Sequence, residues 1–276
     1  LNALINISAA KILQADQIQQ KDWNNLRNQT IWLNFARPFV TSLTVFMKRS
    51  DFYFAVFILL LFLPFVLFEE LYEAYNAFNL SHGFIMSFIK FAILATLGEV
   101  IGLRIKTGRY TEPGFGLLLR ALVWGLLGIT IKAAFIIFTS GTLSLFQYLN
   151  YTNADEVFSG DFSAGKLLIA FSISVLLNTI YAPVMMTVHK ITDTHIMNTG
   201  GTVAGFFKPI PVAGILQKLN WDVQWNFVFK RTIPFFWYPA HTITFLLPAE
   251  FQVLFAALLG IALGTILAIA SLRARE

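Results

Sequence analysis

Residues 98–138 read GEVIGLRIKTGRYTEPGFGLLLRALVWGLLGITIKAAFIIF, and this stretch decides the fold. It divides into the end of one apolar run, a short basic turn and a second apolar run. Glu99 stands inside the first run. Arg104, Lys106 and Arg109 stud the turn, which Pro113 and Gly114 close. The second run resumes at Phe115 and carries Arg120, Trp124, Gly125, Gly128 and Lys132. Apolar runs of about 20 residues on either side of a short turn read as two membrane helices, antiparallel and adjacent. A charge within a bilayer is costly unless it faces protein or water. Glu99 and Arg120 each lie about 6 Å in from the same end at helical rise. They are expected to form a structural ion pair, because pairing offsets the cost of burying either charge alone.

The rest of the chain has the same character. Hydrophobic residues make up 57%, aromatic residues 16% and charged residues only 13%, with 29 Phe. Soluble domains carry about 25% charged residues, so the composition is that of a polytopic membrane protein. The formal net charge of +5 fits cytoplasmic loops beside anionic lipid and does not require nucleic acid. Cysteine is absent, which excludes disulfides, thiol catalysis and thiolate metal sites.

Six spans are expected, at about 52–68, 83–103, 115–138, 166–188, 233–247 and 251–272. The expected class is therefore all-α, a transmembrane helix bundle over residues 51–276. Residues 1–50 are expected to form an amphipathic N-terminal arm. Within it, residues 31–47 contain Asn34, Arg37 and Pro38 and suit an interfacial helix anchored by Trp32 better than a span. Lys and Arg fix the orientation. Lys48 and Arg49, then Arg104, Lys106 and Arg109, then Lys190, Lys208, Lys218, Lys230 and Arg231, then Arg273 and Arg275 all fall on one side. The opposite loops, 69–82 and 139–165, contain neither residue. Both termini are expected on the cytoplasmic side of a bacterial inner membrane, or on the equivalent side of an organellar one.

Small residues mark the helix-packing faces. Gly98 and Gly102 form one G-x-x-x-G and Gly260 and Gly264 another, with Gly125 and Gly128 making a small face between them. Lys90 and Lys132 lie deeper and are expected to snorkel outward along their stems.

Prolines suggest a pathway. Pro183 removes an N–H and frees the carbonyl of Thr179, while Pro239 and Pro248 free those of Phe235 and Thr244. Freed backbone at membrane depth needs a protein or water partner. Asn178, Thr179, His241 and Thr244 lie beside these helix breaks, with Glu99 and Lys132 nearby. These six residues are the expected lining of a solute pathway between interrupted helices. A pore lined by His241 is expected to respond between about pH 5 and 8.

No catalytic motif appears. There is no H-E-x-x-H, no G-x-S-x-G, no phosphate-binding loop and no dinucleotide fingerprint. Glu69, Glu70, Glu73 and His82 share an outer loop and read as a solvated helix end. No catalytic residue, metal site or cofactor is expected.

One further pattern lies near the C-terminus. Asn220-Trp221, then Trp237-Tyr238-Pro239-Ala240-His241-Thr242-Ile243-Thr244-Phe245-Leu246-Leu247-Pro248, then a glycine-bearing final span, resembles the C-terminal signature of the Mpv-seventeen family of small peroxisomal and mitochondrial inner-membrane proteins. Gly98-Glu99 resembles that family's Gly-Asp, and Lys166 and Pro183 its Lys and Pro. His241 replaces a Gln, Thr244 replaces an Asn, and the family's Gly-Pro-x-x-His-x-Trp-Tyr is missing. The resemblance covers roughly residues 84–272. It implies a four-helix core with channel-like or metabolite-handling behaviour.

The leading reading is a channel or transporter-like protein for small solutes or metabolites. The other is a non-transporting assembly protein that docks a partner through the aromatic segment 221–229. The expected partners are the lipid bilayer, a small solute and a second copy of the chain, with no nucleic acid.

Overall fold

The computed structural model describes residues 48–273, with side chains through residue 266. The expected arm over residues 1–50, including the interfacial segment 31–47, therefore lies almost wholly outside the described residues. The described chain is helical throughout, with no strand among the described residues. Two compact units part between Pro64 and Phe65. Helix α1 (Arg49–Leu67) falls largely in the first, and none of its residues is buried.

The second unit holds α2 (Glu69–Ser81), α3 (Gly83–Thr107), α4 (Leu117–Tyr148), α5 (Ala154–Ser159), α6 (Ala164–Asn198), α7 (Val203–Phe206), α8 (Val212–Lys218), the π-wound α9 (Val223–Trp237), α10 (Tyr238–Leu246) and α11 (Ala249–Arg273). Among the described residues, five helices are long and apolar enough to cross a membrane: α1, α3, α4, α6 and α11. The segment 233–247, expected as a span, forms the second half of a continuous helical path from α9 into α10. Pro234 lies inside the π-wound part. A proline cannot donate to the i−4 carbonyl, so the ordinary ladder is broken there whatever the winding. Fifteen residues is long for a π-helix, which mostly occurs as single-turn bulges.

Two long helices overrun the expected boundaries. With 32 residues, α4 is about 48 Å long at helical rise, well beyond an apolar thickness of about 30 Å. With 35 residues, α6 continues past Val188 to Asn198, so the helix runs nearly three turns beyond its expected end. Ser163 caps α6 by accepting from the Lys166 N–H at 3.1 Å.

Glycine sets the closest approaches. Helix α3 packs mainly on α4 and α11. A Cβ on Gly98 would stand 3.0 Å from Ile261 Cα and 3.3 Å from the Gly260 oxygen, and one on Gly264 would stand 3.2 Å from the Gly98 oxygen. The two segments therefore meet backbone to backbone at Gly98 and Gly264, with no room for a side chain at either position. On the other side of α3, a Cβ on Gly128 would lie 2.6 Å from the Ser87 oxygen.

The turn between α3 and α4 and the turn after α6 also touch. Gly116 (φ 64°) and Gly201 (φ 66°) both adopt the left-handed region that favours glycine. A Cβ on Gly201 would lie 2.8 Å from the Gly116 nitrogen. This contact joins the ends of three helices and brings Arg120 near the last turns of α6.

Candidate functional site

A cavity of about 540 Å³ lies among α3, α4, α6, α9, α10 and α11. This falls within the range of about 300–1,000 Å³ typical of small-molecule sites. The cavity runs from a charged mouth, where exposed Lys106 and Lys190 stand beside Glu112, to an inner end formed by Leu177, Asn178, Trp237 and His241. Phe91, Ile131, Phe135 and Met185 make much of the wall between.

At the mouth, Glu99 is the hub. Its Oε2 accepts from Arg120 Nη1 at 2.5 Å. Its Oε1 accepts from Trp124 Nε1 at 2.8 Å and meets His189 Nε2 at 3.0 Å. Arg120 Nε donates to the Phe115 carbonyl at 2.6 Å, and the guanidinium sits 4.4 Å from the Phe115 ring centroid. Asp193 Oδ1 pairs with Arg120 Nη1 as an ion contact outside hydrogen-bond geometry. Lys190 reaches Asp193 Oδ2 at 3.7 Å. His189 packs on Trp124 in a tilted arrangement, with ring centroids 4.3 Å apart. The Arg120 side chain is only 8% exposed and that of Glu99 17%, so the pair is largely shielded, and removing Arg120 would leave two carboxylates without their shared cation.

At the inner end, Asn178 Oδ1 lies 3.0 Å from His241 Nδ1. Asn178 Nδ2 donates to the Ser174 carbonyl at 2.8 Å, and Ser174 Oγ donates to the Tyr238 carbonyl at 2.8 Å. These bonds tie α6 to α10. The His241 ring sits among Trp237, Phe135 and Phe245, with centroids 4.9, 5.7 and 6.4 Å away.

Of the six residues expected to line a pathway, Glu99, Asn178 and His241 line this cavity and Thr179, Lys132 and Thr244 do not. Thr179 is on the exposed side of α6, where its hydroxyl meets that of Tyr238 at 2.7 Å. Thr244 is fully buried and turns back to the Ala240 carbonyl at 3.0 Å. Lys132 is half-buried on α4, with its Cε near Gly83.

The three prolines expected at helix breaks have different settings. Pro183 leaves α6 unbroken to Asn198. Pro239 sits in the first turn of α10, where a missing N–H costs least in an isolated helix. Pro248 lies in the short gap between α10 and α11. Lys90 does not snorkel: it is 5% exposed and donates to Asn79 Oδ1 at 2.6 Å. Glu69, Glu70, Glu73 and His82 are exposed.

His189 and Asp193 join the mouth although the sequence reading placed them in a loop. Their signal was a stripe continuing from the span: Met185, His189, Asp193 and Met197 recur every four residues, and all four line the cavity.

Compared with known proteins, the chain matches no protein-family model, no characterised protein and no solved structure.

Proposed function

We propose that this integral membrane protein is a channel or transporter-like protein that admits a small solute or metabolite to the cavity from its charged mouth. The observation that carries the reading is the coincidence of a solute-sized cavity with polar groups at both ends and an apolar wall between. A purely structural bundle has no use for such a void, since empty space forfeits packing contacts. Glu99, Arg120 and Asp193 pair among themselves, which leaves Lys106 and Glu112 as one open cation and one open anion among the described residues, so the entrance suits a neutral or zwitterionic solute better than a strongly charged ion. No catalytic step is proposed. The resemblance to the Mpv-seventeen family points the same way and stands as part of this proposal.

Purified protein in liposomes, loaded with graded small solutes, tests the reading. Solutes smaller than the cavity are expected to cross and larger ones to be retained. If no solute crosses under any condition, the assembly reading becomes the better one. That alternative has its own observation: Trp221, Trp225 and Phe227 are all exposed at the start of the α9 path, as a docking face requires.

The proposed orientation keeps the mouth and both termini on the cytoplasmic side of a bacterial inner membrane or its organellar equivalent. The chain lacks cysteine, so single cysteines at Ser159 and Thr199 are clean reporters. An impermeant thiol reagent on intact cells is expected to label Ser159→Cys and spare Thr199→Cys. The opposite pattern overturns the orientation.

A further inference from the structure

The hydrogen bonds behind the inner end form a directed chain, and its direction can be read from one atom. The Tyr238 carbonyl can only accept. Ser174 Oγ, 2.8 Å away, must therefore donate its single proton to it. The same hydroxyl oxygen is left to accept from Asn178 Nδ2 at 3.3 Å, and that nitrogen also donates to the Ser174 carbonyl at 2.8 Å. Both contacts place the Asn178 amide nitrogen toward Ser174, and so its oxygen toward His241. Asn178 Oδ1 accepts, so His241 Nδ1, at 3.0 Å, carries a proton.

No carboxylate contacts this ring among the described residues; its neighbours are Asn178 and the rings of Trp237, Phe135 and Phe245. A buried ring without a countercharge stays neutral. A neutral imidazole with its proton on Nδ1 presents a bare lone pair at Nε2. That nitrogen has no partner among the described residues and is not one of the sealed, unpartnered side-chain atoms. His241 is 9% exposed, and it lines the cavity.

We infer that the inner end of the cavity is a binding subsite for a hydrogen-bond donor: a hydroxyl or N–H group carried on an apolar or aromatic body, received by His241 Nε2. The inference rests on the proposal that the cavity takes a solute, and it adds the chemical class. A carboxylate or ketone oxygen brings only lone pairs to a lone pair and is disfavoured there. An O–H or N–H is accepted, while Trp237 and Phe135 flank its carrier. Ser174 and Asn178 act as positioning residues, since they fix which ring nitrogen is bare.

The probes are benzyl alcohol and benzyl methyl ether, which share a body and differ in the donor. Affinities are measured by calorimetry on the full chain in nanodiscs, with His241→Phe in parallel to remove the contribution of lipid partitioning. Wild type is expected to hold the alcohol about two- to tenfold more tightly than the ether, the worth of one neutral hydrogen bond. His241→Phe keeps an aromatic ring in an aromatic setting and is expected to lose that preference while retaining the ether. Equal affinities in wild type, or a preference that survives in His241→Phe, overturn the subsite and leave the solute reading standing. Binding of neither probe overturns both. A second readout needs no variant: ¹⁵N shifts of the histidine rings are expected to show His241 protonated at Nδ1 and bare at Nε2. A ring protonated at Nε2 overturns the inference.

Discussion

The mouth and the inner end of the cavity are both polar, but they are built on opposite terms. At the mouth, three helix segments contribute full charges, and the shielded ones are taken up by one another. Glu99 meets Arg120, Trp124 and His189, and Arg120 also meets Asp193. At the inner end there is no formal charge, only a chain of neutral donors and acceptors that stops one atom short. The difference teaches what each is suited to do. A self-satisfied ionic cluster holds three helices together and has little left to offer a ligand. A neutral chain with one open end costs little to bury and offers that end to whatever arrives.

The sharpest way to break this comparison is at Arg120. Arg120→Gln leaves Glu99 and Asp193 facing each other without their shared cation, and is expected to cost about 3 kcal/mol of stability. Glu99→Gln costs less, because Asp193 still pairs Arg120. The double variant is expected to cost clearly less than the sum of the two. Thermal unfolding in detergent of the three variants checks this. Strict additivity would mean that Glu99 and Arg120 do not act as a unit.

A smaller effect is expected at the other end. Asn178→Leu removes the acceptor for His241 Nδ1 and strands a buried donor, at about 1–2 kcal/mol. His241→Phe strands only the Asn178 oxygen and puts an apolar ring among aromatic neighbours, so its expected cost is smaller still, about 1 kcal/mol or less. The same unfolding measurements give the order. If His241→Phe proves as damaging as Arg120→Gln, the inner end is a structural keystone and the contrast fails.

The mouth was partly legible in the sequence because charges inside apolar runs stand out and the turn between Glu99 and Arg120 is short. Adjacency of two antiparallel helices then follows almost without choice. His189 and Asp193 were not legible as part of it, because hydropathy falls after Val188 while the helix does not. Continuation of α6 depends on its last turns packing against the Gly114–Gly116 turn, a contact between residues some 80 positions apart. The inner end was legible in its residue types but not in their facing. Helices as apolar as α4 and α6 carry almost no amphipathic stripe, so nothing in the sequence distinguished Asn178, which faces the cavity, from Thr179, which faces away. The π winding of α9 was invisible for another reason: two prolines within six residues signal interruption and say nothing about how the backbone resolves it.

Gly260 differs from the other glycines at the crossing of α3 and α11. All three line the cavity, but Gly98 and Gly264 are pressed against opposing backbone, whereas a Cβ on Gly260 would meet nothing within 4 Å. A carbon added at Gly98 would wedge two helices apart, while one added at Gly260 would subtract room from the void. A series from Gly to Ala to Val to Leu at this position therefore works as a volume dial on the void.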